Sequence, residues 1–256
     1  MTSASSGRAR HFARRPRLSL LYSIPVPSPT FRRVSALDPS EEARAAMVER
    51  LVASRGVDDE RVLAAMREVP RHRFVPEAVA GKAYGDHSLP IGYGQTISQP
   101  YVVGRMTQLL AVEPHHRVLE IGCGSGYQAA VLGRIARMVF TLERLSALAR
   151  RASSLLKDLG YDNVSVKSLD GTYGFAANAP YDRILVAAGA LEVPRPLLDQ
   201  LAVGGRMIVP VGDEKVQRLR VIKKRRDHFG QEEKDDVTFV PLIGRFGRAA
   251  EDAEKP

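Results

Sequence analysis

The chain has no tryptophan and only one cysteine, Cys123, among its 256 residues. A single thiol excludes any intrachain disulfide, as fits a reducing compartment. No apolar run reaches the roughly 20 residues needed to cross a bilayer, because charge or proline interrupts each candidate. Acidic residues are missing from the first 37 positions, which hold Arg8, Arg10, Arg14, Arg15, Arg17, Arg32 and Arg33. Those seven arginines supply most of the net charge of +9 and leave the rest of the chain at +2. A nearly balanced folded part speaks against nucleic acid as a partner. The shares that remain, 44% hydrophobic and 26% charged, are those of an ordinary globular chain.

Residues 1–37 are rich in Arg, Ser and Pro and are expected to be a disordered basic tail. The same composition is found in organelle transit peptides. Leu18 to Ile24 makes a poor signal-peptide core, since Pro25, Pro27 and Pro29 come directly after it. A start at Met47 is an equal alternative. Asp38-Pro39-Ser40-Glu41-Glu42 reads as a helix start, with a capping side chain, proline in the first turn and acids at the positive end of the dipole. That helix is expected to run to about Ser54, before Gly56. Asp58 begins a second, with Val62, Leu63 and Met66 inward.

The stretch Val118 to Tyr127, VLEIGCGSGY, organises the rest of the chain. It reads as a buried strand that breaks into a turn in which Gly122, Gly124 and Gly126 alternate with Cys123 and Ser125. Glycine there lets the backbone turn tightly and approach a ligand. Tyr127 to Ala136 has helical spacing, with Ala130, Val131, Ile135 and Ala136 on one side. The spacing G-x-G-x-G lacks the third-glycine offset of the dinucleotide fingerprint, which weighs against a nicotinamide oxidoreductase. A second strand, Met138 to Leu142, ends at Glu143, where a carboxylate suits the ribose hydroxyls of an adenosine cofactor. The plain alternative is a turn that only joins strand to helix. Cys123 has no histidine or lysine nearby in sequence to lower its pKa and reads as a small side chain in a tight site.

Ala83 to Pro100, AYGDHSLPIGYGQTISQP, is expected to be an irregular, function-bearing loop. Pro100 to Leu110 reads as a helix whose amino end, beside Ser98 and Gln99, favours an anion. Past the glycine turn come a helix Leu145 to Leu159 and a third strand Asn163 to Val166 leading to Leu169-Asp170-Gly171. A fourth strand, Arg183 to Val186, ends in the small residues Ala187 to Ala190. Next come a helix Pro194 to Leu201, a turn at Gly204-Gly205 and a fifth strand Arg206 to Pro210. Val216 to Lys223 and Val237 to Pro241 alternate like strands and are expected to be the last two of the sheet, with Lys224 to Asp236 as a charged, solvated loop between them.

Glu120, Gly122, Gly124, Gly126 and Glu143 together resemble the cofactor core of S-adenosylmethionine-dependent class I methyltransferases. LPIGYGQTISQP at Leu89 to Pro100, the glycine turn, APYD at Ala179 to Asp182, GGRMIVPVG at Gly204 to Gly212 and VTFVPLIG at Val237 to Gly244 occur together and in order. Over roughly Met47 to Gly244 the chain is similar to the protein-L-isoaspartate O-methyltransferase family, and Gln-Thr-Ile-Ser-Gln-Pro is the most specific element. The resemblance implies an α/β fold: a doubly wound, mostly parallel seven-stranded, Rossmann-like sheet with N-terminal helical additions. One domain is expected over 38–248, with helices and substrate loop in 38–112 and the cofactor-binding sheet in 113–248. Residues 249–256 are expected to fray.

The activity implied is transfer of a methyl group from S-adenosyl-L-methionine to the free carboxylate of L-isoaspartyl residues, and less well D-aspartyl residues. The ester then collapses to a succinimide that reopens as aspartate. Isoaspartyl-containing proteins and peptides are the implied partners, with no nucleic acid, membrane or metal. A cytoplasmic monomer is expected. Such a carboxylate, with a pKa of about 3.3 to 3.7, is ionised at neutral pH, so no general base is required.

By the resemblance Ser98 is the active-site serine, orienting the acceptor carboxylate, with Gln95 and Thr96 beside it. Its plain alternative is a helix cap. Glu120, Gly122, Gly124, Gly126, Glu143, Asp170 and Gly171 are the implied cofactor residues, Glu143 toward the ribose and Asp170 toward the adenine amine. Leu169 stands where the family has the first glycine of Gly-Asp-Gly. Leucine does not adopt positive φ cheaply, so either the backbone is extended there or the adenine pocket is altered. The alternatives are a methyltransferase acting on another acceptor, such as nucleic acid or a small molecule, or a weakened cofactor-binding module. Asn178-Ala179-Pro180-Tyr181 resembles an element of DNA amino-methylating enzymes but precedes the fourth strand instead of coming after it.

Overall fold

In the computed structural model, which describes Met1, residues 40–213 and residues 215–249, the chain first forms a stack of short helices. The expected tail over 1–37 and the end from 250 onward lie outside the described residues. Helix α1 (Glu41–Met47) continues as a π turn over Val48–Val52 and a 3-10 turn over Ala53–Arg55, stopping at Gly56 with φ +90°. Asp59, one residue later than expected, caps α2 (Glu60–Glu68) by accepting from the Arg61 N–H. A 3-10 turn, Arg71–Phe74, and the short α3 (Glu77–Ala80) come next.

The segment expected to be irregular contains a hairpin, β1 (Leu89–Gly92) and β2 (Gln95–Ile97). Leu89, Ile91 and Ile97 are buried, so the pair has an apolar face. Its tip turns through positive φ at Gly92, Tyr93 and Gly94. Helix α4 (Pro100–Leu110) matches its expected limits and buries Val103, Met106 and Leu110.

Then strands and helices alternate: β3 (Arg117–Ile121), α5 (Tyr127–Ile135), β4 (Met138–Glu143), α6 (Ser146–Asp158), β5 (Val164–Ser168), β6 (Tyr181–Val186), α7 (Arg195–Gln200), β7 (Leu201–Gly212), β8 (Gln217–Lys224) and β9 (Phe229–Val237). The sheet order is β5-β4-β3-β6-β7-β8-β9, with β5 to β7 parallel and only β8 running against its neighbours. This is the expected doubly wound, mostly parallel seven-stranded sheet. After β3 the chain winds outward to β5, then returns to β6 on the other side of β3. The crevice between the ends of β3 and β6 is therefore the topological switch point, where open α/β sheets bind ligands.

One face of the sheet carries Leu119, Ile121, Phe140, Leu142, Ile184 and Met207, packed with Leu197 of α7. The other presents Val118, Glu120, Val139 and Thr141, as strand alternation requires. Helix α5 is buried nearly all round, not on one side: Tyr127, Ala129, Ala130, Val131, Leu132, Gly133 and Ile135 are all enclosed. Both α2 and the sheet pack on it. No described helix is long and apolar enough to cross a membrane.

Two expectations at the end of the sheet are corrected. Gly204 and Gly205 lie inside a continuous β7, with the irregularity taken up as a register shift against β6. Lys224 to Asp236 is mostly strand β9, whereas Val237 to Pro241 is not a strand beyond Val237. Burial does not make β9, since none of its residues is buried. Hydrogen bonding to β8 does, helped by cross-strand ion pairs: Arg218 with Glu233 and Asp236 (both 3.2 Å), Arg220 with Glu233 (3.3 Å) and Lys223 with Glu232 (3.0 Å). An alternating apolar pattern could not reveal a strand paired through charge.

Candidate active site

Strand ends bring the cofactor-side residues together. Ile121 pairs with Leu142 and with Val186, so Gly122, Glu143 and Ala187 leave the sheet at the same edge. A Cβ on Gly122, at φ +90°, would meet the Ala187 carbonyl oxygen at 3.4 Å. The contact is an ordinary one, and it is the positive φ that would strain a side chain there. The Glu143 carboxylate closes the turn: the Gly124 N–H donates to Oε2 (2.8 Å) and the Leu145 N–H to Oε1 (2.9 Å). A carboxylate has about four acceptor sites, so two remain for hydroxyl donors such as those of a ribose.

A groove of about 60 Å³ runs along this edge, lined by Gly122, Gly124, Glu143, Gly171, Ala187 and Ala188. Gln95 and Thr96 of β2 form one wall and Val240 to Ile243 another. The second wall is clipped to the end of β6: the Gly189 N–H donates to the Val240 oxygen and the Leu242 N–H to the Gly189 oxygen, both at 2.8 Å.

Three of the expected cofactor residues stand outside the groove lining. Gly126 heads α5 and packs toward α6, where a Cβ would meet Ala152 and Leu156 at 3.3 Å. Glu120 lies beneath the turn, fully buried, taking a hydrogen bond from the Thr141 hydroxyl while its Oε1 has no partner. Burial pushes its pKa up to about 8. Asp170 turns its carboxylate onto the chain: Oδ1 accepts from the N–H (2.9 Å) and hydroxyl (2.7 Å) of Thr172, and Oδ2 from the Arg245 N–H (2.9 Å). It thereby anchors the segment just past the second wall. Leu169 avoids positive φ, the Leu169 N–H donating to the Glu143 oxygen at 3.1 Å. The backbone thus accepts leucine, which removes the reason for expecting a weakened module. Cys123 is buried, and desolvation raises its thiol pKa, so it is inert.

Beside this groove lies a cleft of about 430 Å³, and Thr96, Ala187 and Val240 belong to the walls of both. Ser98, Gln99, Tyr101 and Val102 bring the amino end of α4 to it. The cap position of α4 is Gln99, and no side chain caps the helix. The Ser98 hydroxyl makes no hydrogen bond among the described residues. It is therefore not a helix cap, and it is free for a ligand. Arg105 of α4 donates from Nε to Asp235 of β9 at 2.9 Å, fixing the outer strand across the cleft.

The Asn178 to Tyr181 element sits at the opposite edge of the sheet, with Tyr181 beginning β6 and buried. It faces neither cleft. Among the described residues Glu113, His115 and His116 are close enough to hold a metal ion. His116 Nδ1, however, already accepts from the Glu113 N–H at 2.9 Å, which leaves the proton on Nε2 and no lone pair.

Sequence reasoning missed the 240–243 wall as part of the groove, the Arg105–Asp235 strut, and Arg71. The last, in PRHRFVP, looks like any surface arginine, yet it is fully buried and its Nη2 donates to the Ser98 oxygen at 2.7 Å.

Residues 42–247 match the model of the family described as protein-L-isoaspartate(D-aspartate) O-methyltransferase. A protein-L-isoaspartate O-methyltransferase of Syntrophobacter fumaroxidans is 52% identical over 207 residues, which are 81% of this chain and 97% of the relative. One of Methanoregula boonei is 51% identical over 82% of this chain and 96% of its own. A solved protein-L-isoaspartate O-methyltransferase is 30% identical, with TM-score 0.73, over 81% of this chain and 67% of that one. A Plasmodium falciparum structure described as such a methyltransferase in complex with S-adenosyl-L-homocysteine is 26% identical, with TM-score 0.69, over 78% of this chain and 98% of that one.

Proposed function

The chain belongs to the protein-L-isoaspartate(D-aspartate) O-methyltransferase family, and from that premise we propose how its residues divide the work. The enzyme transfers a methyl group from S-adenosyl-L-methionine to the free carboxylate of isoaspartyl residues in damaged proteins. The bound sulfonium supplies an electrophilic methyl. Glu143 offers acceptors to the ribose, the Gly122 to Gly124 turn gives close approach, and Gly171, Ala187 and Ala188 leave room for the adenosine. Asp170 and Glu120 support this site from outside its lining.

Ser98 is the acceptor-side group. It donates its hydroxyl to the isoaspartyl carboxylate, and the first free N–H groups of α4 add positive potential there. Thr96, on the wall shared by groove and cleft, and Gln95 hold the two ligands at their meeting point. The carboxylate is the nucleophile and arrives ionised, so the chain supplies orientation and shelter from water, not a base. The observation that carries the assignment is the uncapped, unbonded Ser98 hydroxyl in the larger cleft. A monomer acting in the cytoplasm, with neither nucleic acid nor membrane as partner, fits the single buried cysteine and the paired surface charges.

The test compares Ser98→Ala with the unaltered enzyme on two peptides that differ only in isoaspartate against aspartate. The expected result is base-labile label on the isoaspartyl peptide alone. The variant should lose about 10- to 100-fold in kcat/KM, the scale of one charge-assisted hydrogen bond, with affinity for S-adenosyl-L-homocysteine unchanged. Equal weakening of both would remove Ser98 from the acceptor side.

A further inference from the structure

Arg71 is the largest fully buried side chain among the described residues. Its Nε donates to the Ala83 oxygen at 2.8 Å and its Nη2 to the Ser98 oxygen at 2.7 Å, so one guanidinium ties both ends of the segment that carries the β1–β2 hairpin. Nη1 is buried without a partner. The guanidinium carbon lies 4.9 Å from the centre of the Tyr127 ring, the first residue of α5 after the glycine turn. The Tyr127 hydroxyl is likewise buried and unpartnered. No carboxylate bonds to this cation among the described residues. Burial lowers its pKa, yet a guanidinium stays charged in proteins.

A buried, unpaired cation is expensive, and a neutral side chain of similar length would avoid the cost. Two carbonyls and the face of the Tyr127 ring do not account for it, since all three are neutral and leave the net charge in place. Ser98, whose carbonyl takes the Arg71 bond, itself lines the cleft. We propose that Arg71 selects the charge of the acceptor: it fixes Ser98 through the main chain, and its uncompensated positive charge favours an ionised carboxylate over a neutral amide at the serine. It touches no reacting atom and is a positioning residue. The inference rests on Ser98 being the acceptor-side group. Arg55, Arg105 and Lys215 also line the cleft, but Arg55 is exposed and paired with Asp86 at 3.2 Å, and Arg105 is neutralised by Asp235 at 2.9 Å. Exposed charges are screened by salt within about 10 Å at 0.1 M, and buried ones much less.

The experiment measures, by calorimetry on protein saturated with S-adenosyl-L-homocysteine, the Kd of an isoaspartyl peptide and of the same peptide carrying the isoasparaginyl amide. The unaltered protein should prefer the carboxylate by about tenfold or more, given an unscreened charge nearby. In Arg71→Met that preference should fall to within about threefold, chiefly by loss of carboxylate affinity, and Arg71→Lys should keep most of it. Equal weakening of both peptides in Arg71→Met means that Arg71 only braces the fold, and overturns the inference. Should Arg71→Met fail to fold, a salt series on the unaltered protein decides. A preference that persists from about 0.05 to about 0.5 M salt supports the buried charge, and one that vanishes assigns it to Arg55 and Lys215. Ser98→Ala separates the two readings. If it leaves both peptides' Kd and turnover untouched, the Ser98 assignment falls and this inference with it. If it weakens the carboxylate peptide while Arg71→Met keeps the preference, the Arg71 inference falls alone.

Discussion

Two buried carboxylates beside the glycine turn differ in their hydrogen bonds. Glu143 takes two backbone N–H bonds, one from Gly124 and one from Leu145. Glu143→Ala should loosen the turn as well as remove the ribose acceptors. Affinity for S-adenosyl-L-homocysteine should fall about 10- to 100-fold, one or two charge-assisted hydrogen bonds, as calorimetry would register. Glu120 has one hydroxyl donor and an orphan oxygen, and burial pushes its pKa up to about 8. The folded state then holds a proton that the unfolded chain has released, so stability falls as pH rises from the ordinary glutamate value toward 8, by at most about 1.4 kcal/mol per pH unit. His116 opposes this at lower pH: burial, with Arg183 next, pushes its pKa down to about 4, so its contribution grows from pH 4 to 6.5. Between pH 6.5 and 8 Glu120 acts without that counterweight. In the ligand-free protein Tm should decline over that interval, and Glu120→Gln should flatten the decline. An unchanged slope in the variant would show that Glu120 is already ionised.

The elements around the cofactor groove differ in how firmly they are held. Its floor is the parallel sheet edge, while its walls are a two-stranded hairpin and the segment 240–243, clipped by a few hydrogen bonds at Gly189, Asp170 and Thr172. At about 60 Å³ the groove is well under the roughly 300 Å³ from which ligand pockets start. Adenosine is therefore expected to extend past the groove or to displace one of its walls. Both walls bury apolar side chains, but the hairpin is a paired two-stranded unit whereas the 240–243 segment is held by an isolated bridge at Gly189, so that segment is the wall expected to move. Hydrogen exchange at the Leu242 amide should be faster than at Leu119 or Ile184 in the sheet core. It should slow on addition of S-adenosyl-L-homocysteine, as the ligand supplies new contacts. Protection confined to the hairpin would assign the motion to the other wall.

Across the described domain, the sheet ends govern association. At one edge β9 presents Glu232, Glu233, Lys234, Asp235 and Asp236, and at the other the five-residue β5 carries exposed Lys167. Charged or short edges resist strand pairing with a second copy. The exposed large apolar residues, among them Tyr93, Leu191, Val203 and Phe229, come from separate elements. Sedimentation should therefore give the mass of one chain, 28.1 kDa, at micromolar concentration. A dimer that persists on dilution would contradict this.

The sequence by itself determined whatever depends on neighbours along the chain. Gly122 to Gly126 demanded a turn, Pro100 began α4 at its true first residue, and small residues came after β6. The inner parallel strands were legible because strands buried on both faces read as apolar runs, and the edge strand β5 showed only a short Val-Ser-Val alternation. What the chain could not express locally was decided by the tertiary structure. Strand β9 forms because β8 offers it hydrogen bonds and opposite charges, neither of which leaves a periodic trace. Asp170 turns toward Arg245, 75 residues on, and Arg105 reaches Asp235, 130 residues on. Arg71 became a buried cation beside Ser98 only when Ala83, Ser98 and Tyr127 of α5 closed around it. Burial, and with it the strength of a charge, belongs to the packed fold and not to the residue.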